Sequence, residues 1–260
     1  MSFITLISDY GQNSPYVAAV KGSILSYIPD AKIIDISHSV NPHDVLQAAY
    51  ILKNSSSSFP EKTIHIISVD TSFAKHQHFL IIRSKNQYYI GADNGIFSLL
   101  FEENPDEIFE VNADLIDIND LFPDKNLFTK LASKILNGQD IKSFTSQSTI
   151  KNIKQNISPV VEENLIRGNI IFIDGYGNAI TNIPKNLFEK KNIEKKRFAI
   201  FYRRKDKITY ISKNYSDVKN GTELALFNES GLLEIAMNTG KAGQLLGLNE
   251  GGQIIIEFYD

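Results

Sequence analysis

Apolar residues in the first half of the chain come in short continuous runs, separated by longer stretches with helical spacing. The runs Phe3–Ile7, Lys32–Ile36, Thr63–Val69, Phe79–Ser84 and Gln87–Gly91 predict strands, because a run without polar alternation suits a strand covered on both faces. Between them, Pro15–Tyr27 with Ser14 as its cap, Asp44–Lys53, Ile96–Phe101 and Leu127–Leu136 predict helices. Strands that alternate with helices imply an α/β domain built on a mostly parallel sheet.

From about residue 137 to 163 the periodicity dissolves into Ser, Thr, Gln, Asn and Lys with one proline, the pattern of a linker or of an extended segment lying over a surface. Beyond it, Ile170–Ile173, Arg197–Tyr202, Ile208–Ile211, Glu223–Phe227, Leu232–Ala236 and Gln253–Tyr259 predict short strands separated by turns. That spacing fits a smaller antiparallel barrel or sandwich. The expected organisation is an α/β domain over 1–140, a linker over 141–163 and a β-rich domain over 164–260 that completes the site.

Composition narrows the function classes. The chain has 260 residues, 42% hydrophobic and 22% charged, which is enough for two real cores. A net charge of -3 gives no basic field to draw in nucleic acid. The basic cluster Lys190, Lys191, Lys195, Lys196 and Arg197, continued by Arg203, Arg204 and Lys205, reads as solvated faces around a strand. The absence of cysteine excludes disulfides, thiolate metal sites and a cysteine nucleophile. No apolar run approaches membrane-spanning length, and the chain opens into a strand without a charged lead, so a cytoplasmic protein is expected. Neither glycine-rich phosphate loop is present, which argues against dinucleotides and nucleoside triphosphates.

Polar residues gather immediately after the predicted strands. Asp9 follows the first, His38 and His43 the second, Asp70 the third, and Asp93-Asn94-Gly95 the strand pair. The carboxyl edge of an open parallel sheet is where ligands bind. A single carboxylate there would ordinarily cap the next turn, but four such sites on one edge point to binding. No acidic triplet or His-x-x-x-His spacing indicates a metal; His76 and His78 lie two apart and suit a solvated turn. In the second half, Asp174-Gly-Tyr176-Gly-Asn178 breaks a strand with two glycines around an aromatic. It reads either as a self-capped hairpin turn or as a binding loop with a stacking face and polar readers.

Taken in order, these blocks resemble one family. They are Ile4-Thr-Leu-Ile-Ser-Asp-Tyr-Gly through Tyr16-Val-Ala-Ala-Val-Lys-Gly22, Asp35-Ile-Ser-His-Ser-Val-Asn-Pro, Val69-Asp70, Ala92-Asp93-Asn94-Gly95, and Asp174 through Ile183. Tyr215-Ser-Asp-Val, Asn228-Glu-Ser-Gly231 and Leu233-Glu-Ile-Ala236 continue the match. The chain is similar to the S-adenosylmethionine hydroxide adenosyltransferases, relatives of the fluorinating and chlorinating enzymes.

The resemblance implies an α/β domain followed by a β-rich domain, a homotrimer, a small-molecule ligand shared between neighbouring subunits, and no cofactor beyond S-adenosylmethionine. Water would displace methionine at ribose C5′ and leave adenosine. Asp9 would bind the ribose hydroxyls and Asn178 the adenine, with Tyr176 and Tyr215 packed on the base. Asp174 would pair with the methionine amine, and Glu229 and Ser230 would lie at the same end. Asn94 belongs to a matching block, and His43 stands where the halogenating relatives carry tryptophan.

Departures from the family pattern fall at the water-activating positions. Asp70 keeps the acid, but Gln77 stands at the expected arginine. Pro123-Asp124-Lys125-Asn126 replaces His-Gly-Arg-Asp, which puts Pro123 at the histidine. The expectation is hydrolysis with Lys75, His76 or His78 replacing the lost groups. Two alternatives stay open: a catalytically weak sensor or sequestering protein, and halide transfer, where Phe73 replaces the fluorinating relatives' threonine.

Overall fold

The computed structural model describes residues 3–71, 78–101, 103–117, 119–195, 197–203 and 206–260, with the side chains of 194 and 195 excepted. The chain forms two compact units, 1–156 and 157–260. No helix among the described residues is long and apolar enough to cross a membrane.

The first unit runs β1 (Phe3–Ser8), α1 (Tyr16–Tyr27), β2 (Lys32–Ser37), α2 (Val45–Ser56), β3 (Ile64–Ser68), β4 (Phe79–Ser84), β5 (Gln87–Ala92), α3 (Ile96–Leu100), β6 (Glu107–Val111), α4 (Thr129–Leu136) and β7 (Thr145–Gln147). These seven strands make one sheet in the order β2-β1-β3-β5-β4-β6-β7. Pairing is parallel across β2, β1, β3 and β5, then antiparallel through β4, β6 and β7. Lys85 and Asn86 turn the β4–β5 hairpin with φ of 48° and 58°, the pair of positive angles that matches the right-handed strand twist.

Side-chain alternation explains why helices cover both faces. Ile4, Leu6, Ile64, Ile66 and Ile81 face a cluster that contains Val20 and Ile24 of α1 and Leu131 of α4. Ile7, Ile67, Leu80 and Ile82 face the other way, onto Val45, Ala48 and Leu52 of α2 and Ile96 and Leu99 of α3. A strand buried on both faces has no room for polar alternation, hence the continuous apolar runs. One detail corrects the sequence reading: α1 has Pro15 at its cap position and no side-chain cap bond, so Ser14 does not cap it. The polar stretch after 137 holds structure of its own. Phe144 is buried in the first core, and β7 extends the sheet beside β6.

The second unit comprises β8 (Val160–Glu162), β9 (Leu165–Ile173), β10 (Ala179–Pro184), α5 (Lys185–Lys195), β11 (Arg197–Phe201), β12 (Lys207–Ile208), β13 (Glu223–Phe227), β14 (Leu232–Met237), α6 (Ala242–Leu246) and β15 (Gln253–Tyr259). Its strands run antiparallel in the order β12-β11-β15-β9-β10-β14-β13, with β8 beside β9. The two edge strands approach one another, and Ser212 N–H donates to the Ala225 carbonyl at 2.8 Å, so the sheet nearly closes as a barrel. Lys190 and Lys191 lie on α5, the helix that leads into β11. That helix is anchored by Phe188, packed against Phe198, Phe227 and Phe258.

Candidate functional site

Parallel pairing brings the carboxyl ends of β1, β2, β3 and β5 to one edge of the first sheet. Asp9 is central there. Its Oδ2 accepts from the His43 N–H at 2.9 Å and from the Asp70 N–H at 3.3 Å. His43 Nδ1 lies 2.8 Å from Asp70 Oδ1. Asn94 donates its side-chain amide to the carbonyls of Val69 (2.9 Å) and Asp70 (3.0 Å), while its Oδ1 accepts from the Ile96 N–H. Four of the sequence-predicted residues therefore form one bonded group. His43 and Asp70 both have positive φ, 64° and 49°; each such backbone costs on the order of 1 kcal/mol or more and persists where neighbours enforce it.

Beneath this group sits an acid that sequence reasoning had not singled out for a role. Asp124 is only 2% exposed. Its Oδ2 accepts from the Tyr10 hydroxyl at 2.5 Å and the Thr71 hydroxyl at 2.7 Å. Burial pushes its carboxyl up to about 6, against the opposing pull of the hydrogen bonds from Tyr10, Thr71 and Ser68. Burial, and then the neighbouring Asp124 charge, also drives the Tyr10 phenol upward. Tyr10 and Thr71 each directly follow a carboxylate of the edge group, so Asp124 ties the loops after β1 and β3 together from below.

Other sequence-predicted groups are engaged elsewhere. His38 is buried between Ser8 (2.7 Å) and Asp35 (3.0 Å) and shapes the loop from within. His78 pairs through Nδ1 with Glu110, which also holds Lys151 at 2.8 Å. Asp93 is buried, its Oδ2 accepting from the N–H groups of Lys151 and Asn152, and so anchors the segment that passes over the sheet edge. Lys75, His76, Gln77 and Phe73 lie outside the described residues. Pro123 precedes a short π-type turn, Asp124–Phe128, that leads into α4.

In the second unit, Asp174 organises its own turn. Its Oδ1 accepts from the N–H groups of Tyr176 (2.9 Å) and Asn178 (2.8 Å), and its Oδ2 from the Asn178 amide (3.1 Å). Gly177 has φ of 84°, and a Cβ there would stand 2.9 Å from the Lys241 Cα, so that glycine is obligatory. Gly175 has neither constraint. Tyr176 projects with 82% of its surface exposed.

Nearby, the Tyr215 hydroxyl donates to Glu234 Oε1 at 2.9 Å. Glu234, 3% exposed, is the second acid that sequence reasoning did not single out. Burial raises its carboxyl; the Tyr215 bond lowers it and the Asp174 charge raises it further. Two carboxylates that repel in this way favour a cation beside them. The sequence signal for Glu234 was an acid inside the apolar strand Leu232–Met237. Glu229 and Ser230 are exposed in the turn between β13 and β14, which Gly231 closes at φ 72°.

Comparisons with known proteins bear on both units. Residues 4–145 match the family model described as the SAM hydroxide adenosyltransferase N-terminal domain, and residues 168–255 match that of its C-terminal domain. The (R)-S-adenosyl-L-methionine hydrolase of Methanocaldococcus jannaschii is 30% identical over 262 residues, covering 96% of this chain and 93% of that one. A fluorinase of Nocardia brasiliensis is 39% identical over 61 residues, 24% of this chain and 20% of its own. A crystal structure of an uncharacterized conserved protein from Thermotoga maritima superposes with a TM-score of 0.85 at 30% identity, covering 98% of this chain and 99% of that one.

Proposed function

Because the chain belongs to the SAM hydroxide adenosyltransferase family, we propose that it hydrolyses S-adenosylmethionine to adenosine and methionine. A water oxygen bonds to ribose C5′ as the C5′–S bond breaks. The electron pair of that bond leaves with sulfur, so the sulfonium becomes a neutral thioether, and one proton is released. The sulfonium is already a good leaving group, and the protein supplies alignment, exclusion of bulk water and a positioned nucleophile.

The observation that carries this reading is the bonded group Asp9–His43–Asp70–Asn94 at the sheet edge. In it Asp9 accepts from the ribose hydroxyls, since a carboxylate offers about four acceptor sites and the two backbone N–H bonds leave room. Asp70 lies on the side of the attacking water, with Asn94 fixing its backbone. Asn178 reads the adenine, and Tyr176 and Tyr215 pack on it. Asp174, reinforced by buried Glu234, holds the methionine amine, with Glu229 and Ser230 at the same end. His76 and Gln77, close in sequence to Asp70, contribute to the water side. The working form is a homotrimer, which light scattering checks, and its place is the cytoplasm, which cell fractionation checks.

The test is incubation with S-adenosylmethionine and chromatographic resolution of the products. Adenosine formed by the wild type and lost in Asp70→Ala supports the reading; no adenosine formation sinks it. One observation favours a second reading, a weak enzyme that sequesters its ligand: His78 is taken up by Glu110 and Lys151. Tight calorimetric binding of S-adenosylmethionine without turnover would select it.

A further inference from the structure

We propose that His43 is a catalytic residue, forming with Asp70 a dyad whose imidazole takes the proton from the attacking water. This rests on the hydrolase reading above. His43 Nδ1 stands 2.8 Å from Asp70 Oδ1. An ionised carboxylate can only accept, so the hydrogen between them belongs to Nδ1, and the lone pair of the neutral ring belongs to Nε2. The His43 side chain is 70% exposed, so Nε2 stands where a substrate water can reach it. An aspartate that fixes the tautomer of a histidine and steadies its cationic form is the arrangement general-base catalysis uses.

The backbone that carries the ring is fixed by its neighbours. The His43 N–H donates to Asp9, its carbonyl accepts from Val45 N–H at 3.1 Å, and the next residue, Asp44, caps α2 through the Gln47 N–H. Both dyad members occupy the left-handed region. Strain of this kind is retained where surrounding bonds over-determine it, and it concentrates at working sites. Asp9 bonds the backbone of both partners at once. The carboxylate assigned to the ribose and the dyad assigned to the water are thus one rigid unit, and C5′ belongs to the sugar that Asp9 binds.

The step balances without a co-reactant. Nε2 takes a proton from water, the water oxygen bonds to C5′, and the C5′–S pair departs with sulfur. The imidazolium, stabilised by the Asp70 carboxylate, then returns its proton to solvent. A histidine from the loop after β2 thereby serves Asp70 in a chain that has Gln77 and Pro123 where the family resemblance places an arginine and a histidine.

The experiment measures kcat and KM for wild type, His43→Ala and His43→Gln, with and without added imidazole, beside thermal melting and adenosine binding. Expected are a fall in kcat of about 100-fold or more, KM and adenosine affinity within about threefold, unchanged melting, and imidazole restoring His43→Ala by about tenfold. His43→Gln keeps a polar side chain and tests whether shape alone suffices. Turnover by either variant within threefold of wild type overturns the dyad and leaves the hydrolase reading intact. So does a loss of kcat that imidazole does not restore. A wild-type protein that releases no adenosine overturns both.

Discussion

At the carboxyl edge of the first sheet, Asp9 bonds to residues 34 and 61 positions away, and His43 meets Asp70 across 27. In the second unit, Asp174 bonds to residues two and four positions on. The same group, a carboxylate accepting backbone N–H bonds, is used in both places. At the edge it needs the whole parallel sheet to bring its partners together; in the turn it needs five residues and one obligatory glycine. Long-range assembly positions several reactive groups against one another, which chemistry demands. Local assembly presents a face and a charge, which suffices for holding a ligand.

If that division is right, the sharpest contrast comes from removing the two carboxylates separately. Asp70→Asn should lower kcat for S-adenosylmethionine by about 1,000-fold, with KM nearly unchanged, because a group acting on the nucleophile matters chiefly in the transition state. Asp174→Asn should instead raise KM by about ten- to a hundredfold, the scale of one charged hydrogen bond, and leave kcat within a few-fold. Steady-state kinetics of both variants would break the comparison if Asp174→Asn lost kcat and Asp70→Asn lost only affinity.

Stability over pH probes what sustains the long-range edge. Burial pushes the Asp124 carboxyl up to about 6 from an ordinary 3.8, so its contribution to stability is greatest below about 4 and is lost as pH rises through 6. His65, buried beside Thr5 and stacked on Tyr89, is driven by burial down to about 4 from 6.5, with Gln87 opposing. Its contribution is present above 6.5 and is lost as pH falls towards 4. Each swing amounts to about 3 kcal/mol, and over pH 4–6 they run in opposite directions. These two contributions should therefore largely cancel across that window. Asp124→Asn should raise stability at pH 7.5 and expose a decline of about 3 kcal/mol on acidification. Denaturant titrations at several pH values check this, and a variant with the same pH dependence as wild type would show that Asp124 is not the balancing group.

How much of this was legible in sequence follows the same division. The central strands of the parallel core announced themselves as mainly apolar runs, because burial on both faces leaves little room for polar alternation, and Thr5 and His65 are buried exceptions. β6 did not, since Glu107 and Glu110 interrupt it and their partners, Arg83, His78 and Lys151, lie far away in sequence. α5 was missed because six of its eleven residues are Lys or Glu and Phe188 is its main anchor. The Asp174 turn could be located from its glycines, and its self-capping was one of the two readings its composition offered. Asp124 could not be recognised as a buried strut: its partners Tyr10 and Thr71 stand 114 and 53 positions away, and no local pattern encodes that meeting.

The turn's own backbone gives the next contrast. Gly177→Ala places a methyl group against the Lys241 backbone and forces an L-residue to φ 84°. A destabilisation of about 2 kcal/mol is expected, whereas Gly175→Ala, at an open position, should stay within about 0.5 kcal/mol. Equal melting of the two variants would mean that the turn is not set by its second glycine.

The smallest structural effect should accompany a clear functional one. Tyr176 leaves 82% of its surface in solvent, so Tyr176→Ala should change stability by no more than about 0.5 kcal/mol. If its ring packs on adenine, adenosine affinity should fall about tenfold, the lower range for one base stacked on an aromatic. Asp9→Asn, altering the other unit, should weaken adenosine through the ribose and leave the Asp174 turn untouched, so calorimetry of the two single variants and the double variant should give additive losses. Undiminished binding by Tyr176→Ala would return the turn to a self-capped hairpin. The second unit's part in recognition would then rest on Asn178 and the Asp174–Glu234 pair.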